Sequence, residues 1–436
     1  MSDSKGSPAQ IGFWKTTSLV AGNMIASGIF MLPVSLAVFG SVSLLGWIVS
    51  GAGAIVLAIV YARLGQLYPG ATGGPYIYTK NGLGEFAGFL VAWSYWISIW
   101  STNAAISLAF VSYLSVFFPV VAANPVNTTI TALSAIWLLT WVNTRGLATA
   151  GSVQLVTTIL KILPLVLVSV GGLFFLNPTH FTDFNLSGQS DIGAVTSTAT
   201  LTLFAFLGLE CATIPAGGVS NPEKTIPRAT IFGTLIVTAI YFLGTVSVMG
   251  VIPAEELRHS TAPFSDAAAR IWGEEARYLV AAGAVVSTFG ALNGWILMQG
   301  QMPAAAASDR LLPGIFARNN RFQVPSLSLV GSSILISILL FMNTSSGLAQ
   351  TFQFIILMST MTVLVAYLLS MTSYMILASR QDWSTRKRTG NILLALIGFG
   401  YSFWALAGAG VDSVYYGLLS VVAGIPLYAW RKMNPN

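Results

Sequence analysis

Apolar segments long enough to cross a bilayer recur along almost the whole chain, and few charged side chains interrupt them. A hydrocarbon core about 30 Å thick needs roughly 20 apolar residues per helix, and inside it every backbone polar group must find its partner within the protein. Segments can be drawn at 12–38, 41–67, 83–118, 126–143, 152–176, 193–217, 229–252, 276–307, 325–343, 350–378, 389–410 and 412–431. They predict an all-α membrane protein of twelve transmembrane helices, one transmembrane domain over 1–436. Composition agrees: 8% of residues are charged, against about 25% in soluble domains, and mean hydropathy is +0.75. The polar residues 1–10 lead straight into a segment long enough to remain as a helix, so no cleaved leader is expected.

The net charge of +6 invites a nucleic-acid reading, but its distribution argues against one. With both termini cytoplasmic, sixteen of the twenty Lys and Arg residues fall on the cytoplasmic side. The other face keeps Arg258, Arg270 and Arg277, in one loop that also carries five acids. The positive-inside rule then fixes the orientation. Loops are short except at 177–192 and 253–275, both external, which leaves no room for a soluble domain. Residues 263–277 alternate alanine with charge and can form an amphipathic surface helix or a plain structural loop beside a gate.

Two of the segments read as places where a helix breaks. Residues 22–33 place Ala26, Ser27 and Gly28 in succession with Pro33 one turn later, and residues 204–218 place Gly208 beside Glu210 with Pro215 beyond. Unpaired backbone in lipid costs several kcal/mol per group, so a broken helix persists only where it faces protein or a wet cavity. The breaks fall in spans 1 and 6, and an odd offset of five turns the second unit upside down. An inverted 5+5 repeat is expected, with repeat one at 12–176, repeat two at 193–378 and extra helices at 389–431, and a substrate site between the two breaks.

Inside the spans only Lys161 and Glu210 carry charge at depth, and an intramembrane ionisable group is a functional candidate by default. Glu210 either takes a proton or senses a cation at the break, or is a neutral acid that caps freed backbone. Lys161 either stands where sodium-coupled folds of this kind hold a metal ion, or snorkels or forms a structural salt bridge. Tyr95, Trp96, Trp100, Phe204, Phe206, Trp295 and Tyr367 are aromatic candidates whose faces attract cations, with core packing as the alternative. Trp295 follows Gly290 and Asn293-Gly294, which leave its ring room to move. Asn103 and Ser359 either hold substrate or bond between helices. The chain contains no Gly-x-x-x-x-Gly-Lys-Ser/Thr loop for a nucleotide. Cys211 is the one cysteine, and His180 and His259 lie apart in external loops, so no disulfide, metal site or cofactor is expected. One acid and one lysine are thin equipment for an intramembrane enzyme.

Gly22-Asn23 through Ser27-Gly28-Ile29-Phe30 and Leu32-Pro33, Phe206-Leu207-Gly208-Leu209-Glu210 running on to Asn221-Pro222-Glu223-Lys224, and Ala305 to Phe316 together resemble the amino acid–polyamine–organocation superfamily. Within it the chain is similar to the bacterial basic amino acid/polyamine antiporters, such as the arginine/agmatine and putrescine/ornithine exchangers. That resemblance implies a LeuT-like fold in the bacterial inner membrane and a secondary transporter exchanging a cationic amino acid for a related amine or amino acid by alternating access. The alternative is a proton-coupled or exchange transporter of neutral amino acids.

By the resemblance, amides around Asn23, Ala26, Ser27 and Gly28 would hold the substrate carboxylate, and carbonyls near Phe204, Ala205 and Leu207 the α-amino group. Asn103, Trp295 and Ser359 match positions that bind or cover the distal part of the substrate. Tyr95, Glu210 and Tyr367 match a cytoplasmic gate. Two positions depart from the pattern: Phe204 stands where arginine/agmatine exchangers carry Trp, and Lys161 looks like the span-5 lysine of neutral amino acid exchangers. The expected partners are the small amino acid or amine and membrane lipids, with no nucleic acid and a homodimer as a candidate assembly.

Overall fold

The computed structural model describes residues 12–68, 73–146, 162–211 and 219–433, and over these the chain is helical with no β-strand element. Nine helices among the described residues are long and apolar enough to cross a membrane, and three shorter apolar helices lie at 162–175, 191–206 and 326–342. The first follows directly on the undescribed residues 147–161, and the described turn 207–211 separates the second from the undescribed 212–218. The protein is therefore a multi-pass membrane protein. Its helices are α1 (Phe13–Met24), α2 (Gly28–Ala37), α3 (Val42–Leu67), α4 (Pro75–Leu83), α5 (Glu85–Leu114), α6 (Pro125–Thr144) and α7 (Ile162–Phe175). There follow α8 (Asp191–Leu203), α9 (Pro222–Val251), α10 (Ala254–Leu257), α11 (Pro263–Trp272), α12 (Glu274–Ser308), α13 (Ser326–Met342), α14 (Leu348–Ser379), α15 (Thr385–Ala407), α16 (Val411–Val422) and α17 (Gly424–Met433).

Two packing groups position the middle of the bundle. In one, α5 lies against α12 and α14; in the other, α3 lies against α8 and α9. The interrupted pairs α1–α2 and α8 with its extension run between them, and α1–α2 is the most thoroughly buried of the spans. Three helices start or end away from the limits that hydropathy alone sets. α9 begins at Pro222 and α12 at Glu274, because Pro at the first helical position loses no bond, and Glu223, Glu274 and Glu275 sit at the positive ends of their helices. The twelfth apolar segment divides at Ala423 into α16 and α17. Of the 263–277 stretch, Pro263–Trp272 form an amphipathic helix, α11, which buries Phe264, Ala267 and Ala268 and leaves Arg270 for an ion pair with Glu256, while Glu274–Arg277 open α12.

Candidate functional site

The first helix ends at Met24 and the second starts at Gly28, so Ile25, Ala26 and Ser27 leave the helical ladder. Such a break frees carbonyls at the end of α1 and amides at the start of α2. The carbonyls are claimed by other helices: Trp295 Nε1 donates to Asn23 O at 3.1 Å, and Tyr241 Oη to Met24 O at 2.6 Å. No side chain caps the start of α2, and the Ser27 hydroxyl is fully buried with no hydrogen-bond partner. A polar group left that way costs about 1–3 kcal/mol.

The second break follows α8. Phe204–Phe206 tighten into a 3-10 turn, Leu207–Glu210 form a turn, and Gly208 adopts φ 101°, a region that only glycine enters without strain. Leu207 N bonds Phe204 O at 3.1 Å and Leu209 N bonds Phe206 O at 3.2 Å, which satisfies the tightened turn locally. The two breaks touch. A Cβ placed on Gly28 would stand 2.8 Å from Ala205 Cβ, and one on Gly208 would stand 3.2 Å from Asn23 Cβ and 3.4 Å from the Trp295 ring. Glycine at both positions lets one interrupted backbone approach the other, with Trp295 laid across the junction.

Beside the junction, a polar chain runs between helices. Gln299, one turn after Trp295 on α12, donates from Nε2 to Leu329 O at 3.3 Å and to Ser333 Oγ at 2.9 Å. A backbone carbonyl can only accept, so the orientation of this amide is fixed and its oxygen must accept. Asn103 Nδ2 donates to that oxygen at 2.7 Å, and Asn103 Oδ1 is consequently turned away and buried without a partner. At the neighbouring position, Ser359 donates its proton to Ser98 O at 3.0 Å, so Thr102 must be the donor in the 2.8 Å contact between the Thr102 and Ser359 hydroxyls. Ser359 thus keeps only acceptor capacity, while Asn103 keeps its unpartnered Oδ1 and the second hydrogen of its Nδ2.

Below the second break, Glu210 is fully buried and its Oε2 accepts from Tyr367 Oη at 3.0 Å. Tyr95 neighbours the same carboxyl, and the Tyr61 ring meets Tyr367 edge-on at 5.7 Å. Further layers close the site at both ends of the bundle. On one side Tyr113 Oη donates to Phe30 O at 2.9 Å, and Phe30 packs edge-on against Phe264 of α11 at 5.9 Å. On the other, Tyr76 of α4 donates to Asp309 Oδ2 at 2.8 Å, just past the end of α12. Burial and that bond raise the Tyr76 phenol above its ordinary pKa, which keeps it a donor to the carboxylate.

Asn23, Ala26, Ser27, Gly28, Asn103, Phe204, Ala205, Leu207, Trp295, Ser359, Tyr95, Glu210 and Tyr367 are all buried in these layers. Trp295, read from sequence as a ring with room to move, is pinned here by its bond to Asn23. Phe204 packs edge-on against Phe352 at 6.3 Å. Lys161 lies outside the described residues. Gln299, Tyr241 and Tyr61 escaped the sequence reading. A glutamine four residues after Trp295, one of two with Gln301 in a segment rich in Ala, Gly and Met, was the available signal for the first.

A helical, multi-pass membrane protein in which the interruption between α1 and α2 meets the turn that ends α8 at a buried junction is the class that the described residues define. The family model for amino acid permeases matches residues 11–422, and the chain belongs to that family. It is 30% identical to the putrescine transporter PotE of Haemophilus influenzae over 422 residues, covering 97% of each chain. It is 32% identical to the cadaverine/lysine antiporter of Escherichia coli K12 over 436 residues, covering 98% of this chain and 96% of that one. A putative arginine/ornithine antiporter of Bacillus subtilis is 30% identical over 450 residues, with 96% and 94% covered.

Proposed function

We propose that the chain is a secondary transporter that exchanges a cationic amino acid for a related amine or amino acid by alternating access, without ATP. Similarity to a putrescine transporter, a cadaverine/lysine antiporter and a putative arginine/ornithine antiporter supports exchange of this class. One observation carries the cationic reading: the bond from Asn103 Nδ2 to Gln299 leaves Asn103 Oδ1 a buried, unpartnered acceptor, and Ser359 beside it keeps only acceptor capacity, which suits an ammonium or guanidinium group. The substrate carboxylate goes to the start of α2, where the Ser27 hydroxyl lacks a partner and the helix dipole favours an anion. Carbonyls near Phe204, Ala205 and Leu207 take the α-amino group.

In this reading the fold is an inverted 5+5 LeuT-like repeat of twelve spans, with units at 12–176 and 193–378, helices 389–431 outside the repeat, and both termini in the cytoplasm of a bacterial cell. Tyr95, Glu210 and Tyr367 form a cytoplasmic gate, and Trp295 releases Asn23 when the site opens. A second reading, transport of neutral amino acids with or without a proton, is favoured by Glu210 being the one acid at the junction among the described residues, and by Lys161, which resembles the span-5 lysine of neutral exchangers. Proteoliposomes separate the two. Exchange of a cationic substrate predicts uptake of labelled lysine, arginine or ornithine only into vesicles preloaded with a cationic amino acid or amine; equal uptake into empty vesicles, or uptake of neutral amino acids alone, overturns it.

A further inference from the structure

At the end of α3 remote from the 177–192 segment, α3, α14 and α15 enclose a cavity of about 730 Å³, lined among others by Arg63, Gln66, Tyr374, Trp383, Arg386 and Lys387. It is separate from the junction of the two breaks. Three cations converge on it, and among the described residues none of them pairs with a carboxylate; the ion pairs found there involve Arg258, Arg270, Arg277, Arg431 and Lys432.

The site is built rather than incidental. Asn391 is buried, and its Oδ1 accepts from both Arg63 Nη1 and Tyr374 Oη, while its Nδ2 donates to Lys387 O at 2.8 Å. One asparagine therefore fixes the guanidinium of α3, the phenol of α14 and the first turn of α15 in one place. Lys387 Nζ sits 4.6 Å over the Trp383 ring, which holds the ammonium at the rim. A guanidinium has more donors than Asn391 can use, so Arg63 keeps some for a ligand.

The charge arrangement is unfavourable without an anion. Helix α15 opens with Arg386, Lys387 and Arg388, has no acid in its first turn, and its N-cap Ser384 makes no side-chain cap. Cations at the positive end of a helix cost free energy instead of gaining it, and the first-turn amides add uncapped donors at the same spot. Guanidinium forks, an ammonium and amides around one cavity match the tetrahedral oxygens of a phosphate. Leu67 and Leu394 give the lining an apolar edge.

We propose that this cavity is an anion site for a phosphate group, carried by the headgroup of an anionic phospholipid or by a soluble phosphate. Its occupant ties α15 to α3 and α14, two turns along α14 from Tyr367. Thermal unfolding of the purified protein in a neutral detergent tests this, using monomeric short-chain phosphatidylglycerol, the matching phosphatidylcholine, and inorganic phosphate at matched ionic strength. Two variants accompany wild type: Arg386→Ala/Lys387→Ala, which removes charge, and Gly390→Leu, which fills a lining position where an added Cβ meets nothing within 4 Å.

The expected result is a saturable rise of several degrees with phosphatidylglycerol, none with phosphatidylcholine, and loss of the rise in both variants. A rise confined to phosphatidylglycerol assigns the site to a lipid headgroup; an equal, variant-sensitive rise with inorganic phosphate assigns it to a soluble anion. No saturable rise with either, or a rise that both variants retain, overturns the proposal.

Discussion

Replacing Gln299 by methionine keeps the length of the side chain and removes its amide. Three hydrogen bonds go with it, to Asn103, Leu329 O and Ser333. Bonds between membrane helices average about 0.6 kcal/mol, so the fold loses roughly 2 kcal/mol. Ser333 still bonds Thr140 at 2.7 Å, which limits the damage. The larger effect falls on the ligand. With its acceptor gone, the Asn103 amide is free to turn its NH2 toward the substrate, and a cation then meets a donor instead of an oxygen. A hydrogen bond to a charged group is worth about 1.5–3 kcal/mol, or roughly ten- to a hundredfold in affinity. Lysine and norleucine differ only in the terminal ammonium, so titration calorimetry with both isolates that bond. Gln299→Met should weaken lysine binding ten- to a hundredfold and norleucine binding by less than about threefold, while Gln299→Glu, which retains an acceptor oxygen for Asn103, should keep the preference for lysine. Equal losses for the two ligands, or none, would refute the assignment of Asn103 as an oriented acceptor.

Other substitutions test other parts of the junction. Ser27→Ala removes a buried hydroxyl that bonds nothing in the protein and therefore costs stability, so it should not lower the melting temperature, and should raise it by up to a few degrees, while weakening substrate binding about tenfold in the same calorimetric assay. Gly208→Ala forces a Cβ into φ 101° and against Asn23 and Trp295; a loss of about 1–3 kcal/mol of stability, read by thermal unfolding, and near-complete loss of exchange are expected. Glu210→Gln keeps an oxygen for the Tyr367 hydroxyl, so the protein should fold normally while its exchange rate loses its dependence on pH; an unchanged pH profile would return Glu210 to a structural role.

The breaks were legible because their causes are local. The run Ala26-Ser27-Gly28 and the glycine Gly208 beside an acid are found by a sequence read for backbone freedom without knowing what they face, whereas Pro33, expected to help break the helix, is accommodated inside α2. Glu210 was legible for a related reason, since a lone acid at depth has few explanations. The direction of the polar groups was not legible. Asn103 alone offers a donor and an acceptor equally, and which one it presents is decided by Gln299, 196 positions away, whose own orientation depends on the backbone of α13. Trp295 illustrates the same limit: small neighbours in sequence gave it room, but the partner that pins it, Asn23 O, belongs to another helix and exists only because that helix is broken. The cavity at Arg63 and Lys387 drew no notice in sequence because cytoplasmic arginines and lysines are expected everywhere, and only their convergence on Asn391 distinguishes these.

The central claim is that two interrupted helices lend their exposed peptide groups, with Ser27, to the carboxylate and amino group of one substrate. A structure of the protein with lysine or arginine bound tests it most directly. The account predicts the carboxylate against the Ser27 hydroxyl and the amides opening α2, the α-amino group at the Phe204–Leu207 turn, and the distal cation at Asn103 Oδ1. A substrate bound away from both breaks, or with its carboxylate turned toward Asn103, would contradict it.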